Sequence, residues 1–295
     1  MNRTWRLITL TAVTILACGC ARSKVPELRF SGAQAYEQVR LQCDIGPRSF
    51  GSEGGRRTVQ LIVAELQKWG WTAEEHPVTY RGVTGANVVG KKGQGPLVLF
   101  GAHFDSRSVA DRDPHDRTQP VPGANDGASG VAVLLELARV LDVEQAGAEV
   151  WLVFFDAEDQ GNLAGWPFSV GASAFAQQMQ VEPQAVVVVD MIGDAHQEIF
   201  WERHSDAALM AELWEIAADL GYAEHFVPRY GYAIIDDHLP FIERGWTAVD
   251  IIDFDYPYWH TVQDTVDKVS PDSLERVGRV LEAWLEDGHF AESDY

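Results

Sequence analysis

Three uninterrupted apolar runs constrain this chain most: Pro96 to His103, Val150 to Phe155 and Ala185 to Val189. None alternates apolar with polar residues, and continuous runs of this length are the mark of strands buried on both faces, as in a sheet with helices packed against each side. Each run ends on groups that titrate or bind: His103-Phe104-Asp105, Asp156-Ala157-Glu158-Asp159 and Asp190. In open α/β sheets ligands collect beyond the carboxyl ends of the strands, so a site is expected there.

The rest of the chain supplies the helices such a sheet needs. Ser31 is placed to cap a first helix carrying Tyr36, Val39 and Cys43. A second follows the glycine-rich turn Gly46 to Gly54, with Val59, Ile62, Val63, Leu66 and Trp69 on one face, closed by Gly70. Trp71 to Pro77 and Asn87 to Val89 read as the first strands. The stretch Arg107 to Pro122 is a polar, proline-bearing excursion without periodicity, and long loops at strand ends usually carry function. A helix follows with Val131, Leu134, Leu135, Leu137, Ala138 and Leu141 inward. Ile199 to Trp201 is expected as an edge strand, Ala207 to Leu220 as a helix, Asp236 to Phe241 as a loop entering a short helix, Val249 to Ile252 as the last strand, and Pro271 to Leu285 as the closing helix.

Between the polar excursion and its helix lies Ala124-Asn125-Asp126-Gly127-Ala128-Ser129-Gly130. Small residues crowd one carboxylate, and Gly127 and Gly130 permit a sharp turn that would present Asp126 to a cation. An ordinary helix start with Asp126 or Ser129 as cap fits the same residues. His103, Asp126, Asp159, Asp190 and His260 are five donors at the ends of separate elements, and a mixed histidine and carboxylate set without cysteine suits zinc or a similar divalent ion in an open, catalytic site. Glu158 and Asp159 are adjacent, so one can bind while the other remains a base.

This pattern resembles the zinc exopeptidases, the family of bacterial leucyl aminopeptidase-type metallopeptidases, and within it the glutaminyl-peptide cyclotransferase-like branch. The likeness runs from Gly46-Pro47-Arg48 to the final helix. It implies a three-layer α/β fold with a mixed, mostly parallel central sheet of about eight strands flanked by helices. It also implies that Asp126, Asp159 and His260 hold a zinc ion, that His103 and Asp190 hold a second one bridged by Asp126, that Glu158 is the general acid and base, and that Asp105 orients His103, with His238 in the same outer layer. Trp259 before His260 and Asp236 opening Asp236-Asp237-His238 lean toward the cyclotransferases, as does Trp166, which follows Glu158-Asp159 at a longer spacing than usual. Pro122 to Gly130 leans toward the peptidases. The resemblance therefore implies peptide N-termini as substrate: cyclisation of N-terminal glutamine to pyroglutamate with one zinc, with Asp190 and Asp236 assisting, or aminopeptidase hydrolysis with two. A non-catalytic receptor or scaffold on the same fold would be expected to lose ligands or the base, and all are present.

Composition bounds the remainder. With 44 acidic against 23 basic residues, the formal charge of -21 repels a phosphate backbone, so nucleic acid is not an expected partner. Arg3 and Arg6 before the apolar run Leu7 to Ala17 read as an export signal over residues 1–20, too short to span a bilayer comfortably. Cys18 and Cys20 resemble a lipoprotein cleavage box, which would confine membrane contact to a lipid anchor and place the protein in the cell envelope, facing the periplasm or the exterior. Cys43 alone lies in the body, so no disulfide framework is available and a buried apolar role suits it. The organisation expected is a linker over 21–30, a zinc-dependent catalytic domain over 31–288 and a loose tail over 289–295.

Overall fold

A computed structural model describes residues 27–287 and 290. The expected export signal, the lipidation cysteines Cys18 and Cys20 and most of the tail lie outside the described residues. In chain order the elements are α1 (Gly32–Ile45), α2 (Glu53–Lys68), β1 (Thr72–Tyr80), β2 (Val83–Gly93), β3 (Leu97–His103), α3 (Ala128–Val140), α4 (Val143–Ala146), β4 (Glu149–Phe155), α5 (Val170–Gln178), β5 (Ala185–Asp190), β6 (Ile199–Trp201), α6 (Ala207–Asp219), β7 (Phe226–Tyr230), α7 (Leu239–Ile242), β8 (Ala248–Ile252) and α8 (Pro271–Glu286).

Six strands form the main sheet, in the order β1-β2-β4-β3-β5-β8. The first two pairings are antiparallel and the other three parallel. The expected α/β architecture is present, with a smaller sheet than the eight strands anticipated. β6 leaves the main sheet and pairs with β7, a strand the sequence pattern did not reveal, in a separate two-stranded sheet.

β3, the central strand, shows why its run is apolar throughout. Val98, Phe100 and Ala102 pack toward α1, α3 and α8, while Leu97 and Leu99 pack into a second cluster with Phe175 of α5 and Phe241 of α7. Every residue of β3 is buried. α3 is covered almost all round, which explains its near-continuous Val, Leu and Ala content. Caps fix the flanking helices: Ser31 and Ser52 accept from the main-chain N–H three residues on, and Ser270 caps α8. At the carboxyl end Phe290, inside the expected loose tail, is instead buried edge-on against Trp284, with ring centroids 5.3 Å apart. No helix among the described residues is long and apolar enough to cross a membrane.

Candidate metal centre and its cavity

Asp126 is not a helix cap. Gly127 occupies the cap position of α3 with φ 94°, and the carboxylate of Asp126 turns away toward the strand ends. Side chains cannot follow that backbone: a Cβ on Gly127 would lie 2.8 Å from the Asp105 carbonyl oxygen and 3.1 Å from Cε1 of His103. Gly130 serves a different end from the turn expected of it. It sits within α3, where a Cβ would meet the Val189 carbonyl at 2.4 Å, so its absence lets the helix lie close on β5. The Asp264 carboxylate accepts from the main-chain N–H groups of Asn125 and Asp126 at 2.8 and 3.1 Å and holds the loop from outside.

Asp126 belongs to two sets of groups close enough to hold an ion, one with His103 and Asp190 and the other with Asp159 and His260. All five are buried. In the first set, Nε2 of His103 lies 3.1 Å from Oδ1 of Asp190 and 3.3 Å from Oδ1 of Asp126. Its Nδ1 faces the Asp105 carbonyl at 3.1 Å, an arrangement that fixes the ring. Burial alone would lower the basicity of His103, but the charge on Asp190 and hydrogen bonds to Asp105, Asp126 and Asp190 outweigh it and hold the imidazole well above its ordinary pKa. Nε2 of His103 is thereby paired with Oδ1 of Asp190 within the set.

The second set behaves differently. Nε2 of His260 lies 3.1 Å from Oδ1 of Asp159 and 3.8 Å from Oδ2 of Asp126. Arg107 donates to Asp159 Oδ1 at 3.2 Å, yet Oδ2 of Asp126 and Oδ2 of Asp159 are buried without any hydrogen-bond partner. Unmatched buried carboxylate oxygens are costly, and a divalent cation is the partner whose chemistry suits two of them beside an imidazole. The residues fit a zinc ion.

Glu158 sits at the cavity wall. Burial first, and then the charges of Asp236, Asp237 and Asp159, push its carboxyl well above the ordinary range despite the opposing charge of His103. Asp105 positions it through the main chain: its two carboxylate oxygens accept from the N–H groups of Glu158 and Asp159 at 2.9 and 3.2 Å. The Asp105 carboxylate lies 3.6 Å from His103, so its contact with that ring is made more closely by the carbonyl. Ala157, Met191 and His260 all adopt left-handed φ of 61°, 46° and 58°. Non-glycine residues in that region are sparse and collect at functional sites, and here two flank Glu158 and Asp190 and the third is itself a donor.

These groups open onto a cavity of about 220 Å³ lined by Asp126, Glu158, Asp159, Asp190, Asp236 and His260 on its polar side, with Phe168, Ile234, Phe254 and Trp259 among its apolar wall. Asp236 is pushed up to about 7, by burial and then by the charge of Asp190. Trp166 is not part of this wall. The loop after Asp159 turns through left-handed Asn162 and Ala164, and Trp166 packs on Tyr80 and Phe50, at 4.8 and 5.9 Å between centroids, leaving Phe168 to face the cavity.

The sequence profile of peptidase family M28 matches residues 85–285, the span that carries every strand and loop of this centre. The chain belongs to peptidase family M28. Among its relatives, aminopeptidase YwaD of Bacillus subtilis is 26% identical over 207 residues, covering 63% of this chain; the match spans only 40% of that protein's length. A Zn-dependent exopeptidase from Parabacteroides distasonis superimposes with a TM-score of 0.81 at 28% identity, over 88% of this chain and 99% of that one. The glutaminyl cyclase of Bacteroides thetaiotaomicron, solved with N-acetylhistamine, does so with a TM-score of 0.82 at 27% identity, over 88% and 99%. Both cyclases and aminopeptidases thus share this M28 scaffold.

Two residues beside this candidate centre, Arg107 and Asp111, escaped the sequence pattern. Arg107, in the polar excursion, is buried and donates to the Asp159 side chain and carbonyl, the Gly161 carbonyl and Asp111. Asp111 in turn lies 3.4 Å from Nδ1 of His260. His238 is fully buried but touches neither His103 nor His260; its partners are Glu202 at 3.1 Å and Asp250 at 3.8 Å. The one available signal was the length of the excursion itself, which a mere connection would not need.

Proposed function

We propose that the protein is a zinc-dependent glutaminyl-peptide cyclotransferase that converts N-terminal glutamine to pyroglutamate with release of ammonia. The observation that carries this reading is the asymmetry between the two donor sets: fully buried, unpartnered carboxylate oxygens belong to Asp126 and Asp159 beside His260, whereas in the other set Oδ1 of Asp190 is paired with Nε2 of His103. That supports a single ion held by Asp126, Asp159 and His260. The similarity to bacterial glutaminyl cyclase supports the same choice.

When bound, the zinc ion would supply Lewis-acid polarisation of the substrate's γ-carboxamide. The chain's own residues do the rest. Trp259 and Phe254 receive the apolar part of the glutamine side chain and exclude water. Glu158 accepts a proton from the α-amine as its nitrogen attacks the carbonyl carbon (Cδ) of the γ-carboxamide, then delivers a proton to the departing amide nitrogen. The ring C–N bond forms, the amide C–N bond breaks, and ammonia leaves, with no net change in protons or electrons. A base in this role works best with a pKa near the working pH, and the upward displacement of Glu158 serves that. Asp236 and Asp190 face the same space and hold the reacting nitrogens; Asp236, at about 7, can donate as well as accept.

A second reading is aminopeptidase hydrolysis with two ions, and one observation favours it: His103, Asp126 and Asp190 are also close enough to hold a metal. Incubation of the zinc-loaded protein with peptides beginning in glutamine and in leucine separates the two. Ammonia without peptide cleavage is the expected result; free leucine would overturn the cyclase reading. Metal analysis should give one zinc per chain.

A further inference from the structure

Behind the cavity wall lies a buried carboxylate with two contacts to one wall segment. Glu202 follows β6, outside the main sheet, and is 2% exposed. Its Oε1 accepts from the Ile234 N–H at 2.9 Å, and its Oε2 faces Nε2 of His238 at 3.1 Å. Oε2 also accepts from the N–H groups of His204 and Ser205 and from the Ser205 hydroxyl, each at 2.8 Å. Ser205 in turn accepts from the Asp250 N–H of β8 at 3.0 Å, which ties the arrangement to the central sheet.

The two contacts from Glu202 bracket Asp236. Ile234 is two residues before it and His238 two residues after, and Ile234, Ile235 and Asp236 line the cavity. On the far side of His238, Asp250 stands 3.8 Å from Nδ1. Residues 231–238 lie in neither strand nor helix; main-chain bonds to Trp201 and Arg203 hold Gly231 and Tyr232 at the start of the segment, and the Glu202 contacts hold Ile234 and His238 on either side of Asp236. The hydrogen bonds are strong ones: although burial would raise it, the Glu202 carboxyl is brought down to about 2 by His238, the Ile234 N–H and Ser205.

We infer that Glu202 and His238 form a positioning clamp that fixes the Asp236 carboxyl at the reacting centre, with Glu202 holding the segment on either side of Asp236. This rests on the proposed reading only in taking Asp236 to act on the substrate. Positioning of this kind contributes to turnover more than to binding, and a displacement of about 1 Å can cost about 100-fold in rate.

The test is a double-mutant cycle on the zinc-loaded protein. Glu202→Gln keeps the volume but sets an amide against a cluster of donors; it should retain one zinc and a cooperative melt, keep KM within about threefold and lower kcat about 100-fold on a glutamine-initial peptide. Glu202→Asp, which keeps the charge, should recover part of that loss. Asp236→Asn should lower kcat by itself, and adding Glu202→Gln to it should cost less than threefold more, because both changes remove one function. Full additivity, or an unchanged kcat in Glu202→Gln, overturns the clamp. If Glu202→Gln fails to fold, His238→Gln replaces it under the same criteria. An Asp236→Asn variant with parental kcat would instead overturn the role given to Asp236, and a parent that hydrolyses leucine peptides would overturn the cyclase reading; in that event the cycle is read on leucine release, where it judges the clamp alone.

Discussion

Trp259 stacks on the ring of its neighbour His260, with centroids 4.0 Å apart and 36° between the planes. The indole also carries the Arg112 guanidinium 4.0 Å from its own centroid, so one aromatic both forms cavity wall and steadies a candidate zinc donor. Trp259→Ala is expected to raise KM for glutamine-initial peptides about tenfold or more, since an aromatic contact of this kind contributes roughly 1 kcal/mol beyond area alone. Trp259→Phe should keep most of the affinity. Steady-state kinetics on the two variants checks this, and an unchanged KM in the alanine variant would remove Trp259 from the substrate site.

Glu158→Gln tests the proton carrier. The side chain keeps its size, and its main-chain N–H still reaches Asp105, so zinc content should match the parent. Loss of a general acid and base typically costs 10²- to 10⁴-fold in rate, and that range is expected in kcat with little change in KM. A variant within threefold of the parent would mean that another group moves the proton.

The sequence exposed the donors more readily than their supports. His103, Glu158, Asp159 and Asp190 stood out because each ends or follows an apolar run, where a polar residue has no reason to be unless it caps or binds. Asp111 and Asp264 sit in polar stretches, and Glu202 follows a run of only three apolar residues; a carboxylate in either setting looks like any solvated charge until the fold buries it. Trp166 was misplaced because spacing along a loop does not report which way it turns, and here left-handed Asn162 and Ala164 aim it at Tyr80. The strand count fell short for a similar reason: β6 has only three residues, and its apolar pattern fits a sheet edge as well as the separate pairing it makes with β7.

Removing or redirecting the metal should separate the two donor sets. Asp126→Asn and Asp159→Asn each alter a carboxylate with an unpartnered oxygen, and both should abolish zinc retention through gel filtration at micromolar protein. His103→Asn should retain one zinc per chain while weakening the hold on Asp190. Equal loss of metal in all three variants would favour two coupled ions and with them the peptidase reading. A chelator should abolish activity, and stoichiometric zinc should restore it.

The pH dependence of the metal-free protein follows from its crowded carboxyls. Burial is the largest cause in each of four cases: Asp159 is raised to about 6, and Asp236, Asp253 and Asp264 to about 7, from an ordinary 3.8. A raised carboxyl binds its proton more tightly folded than unfolded, so its stabilisation is complete below about pH 4 and is lost as the pH rises through 6 to 7. Glu202 has the opposite sign, with stability present above its ordinary 4.5 and lost toward pH 2, so it contributes fully at both ends of a comparison between pH 5 and pH 8. The chelated protein should therefore melt at least about 5 °C lower at pH 8 than at pH 5. Zinc should narrow the gap, because ligation gives the ionised Asp159 a cation as partner. Asp253→Asn should narrow it independently, away from the metal, which distinguishes this effect from general repulsion in an acidic chain. A chelated protein as stable at pH 8 as at pH 5 would show that these buried carboxyls ionise without cost.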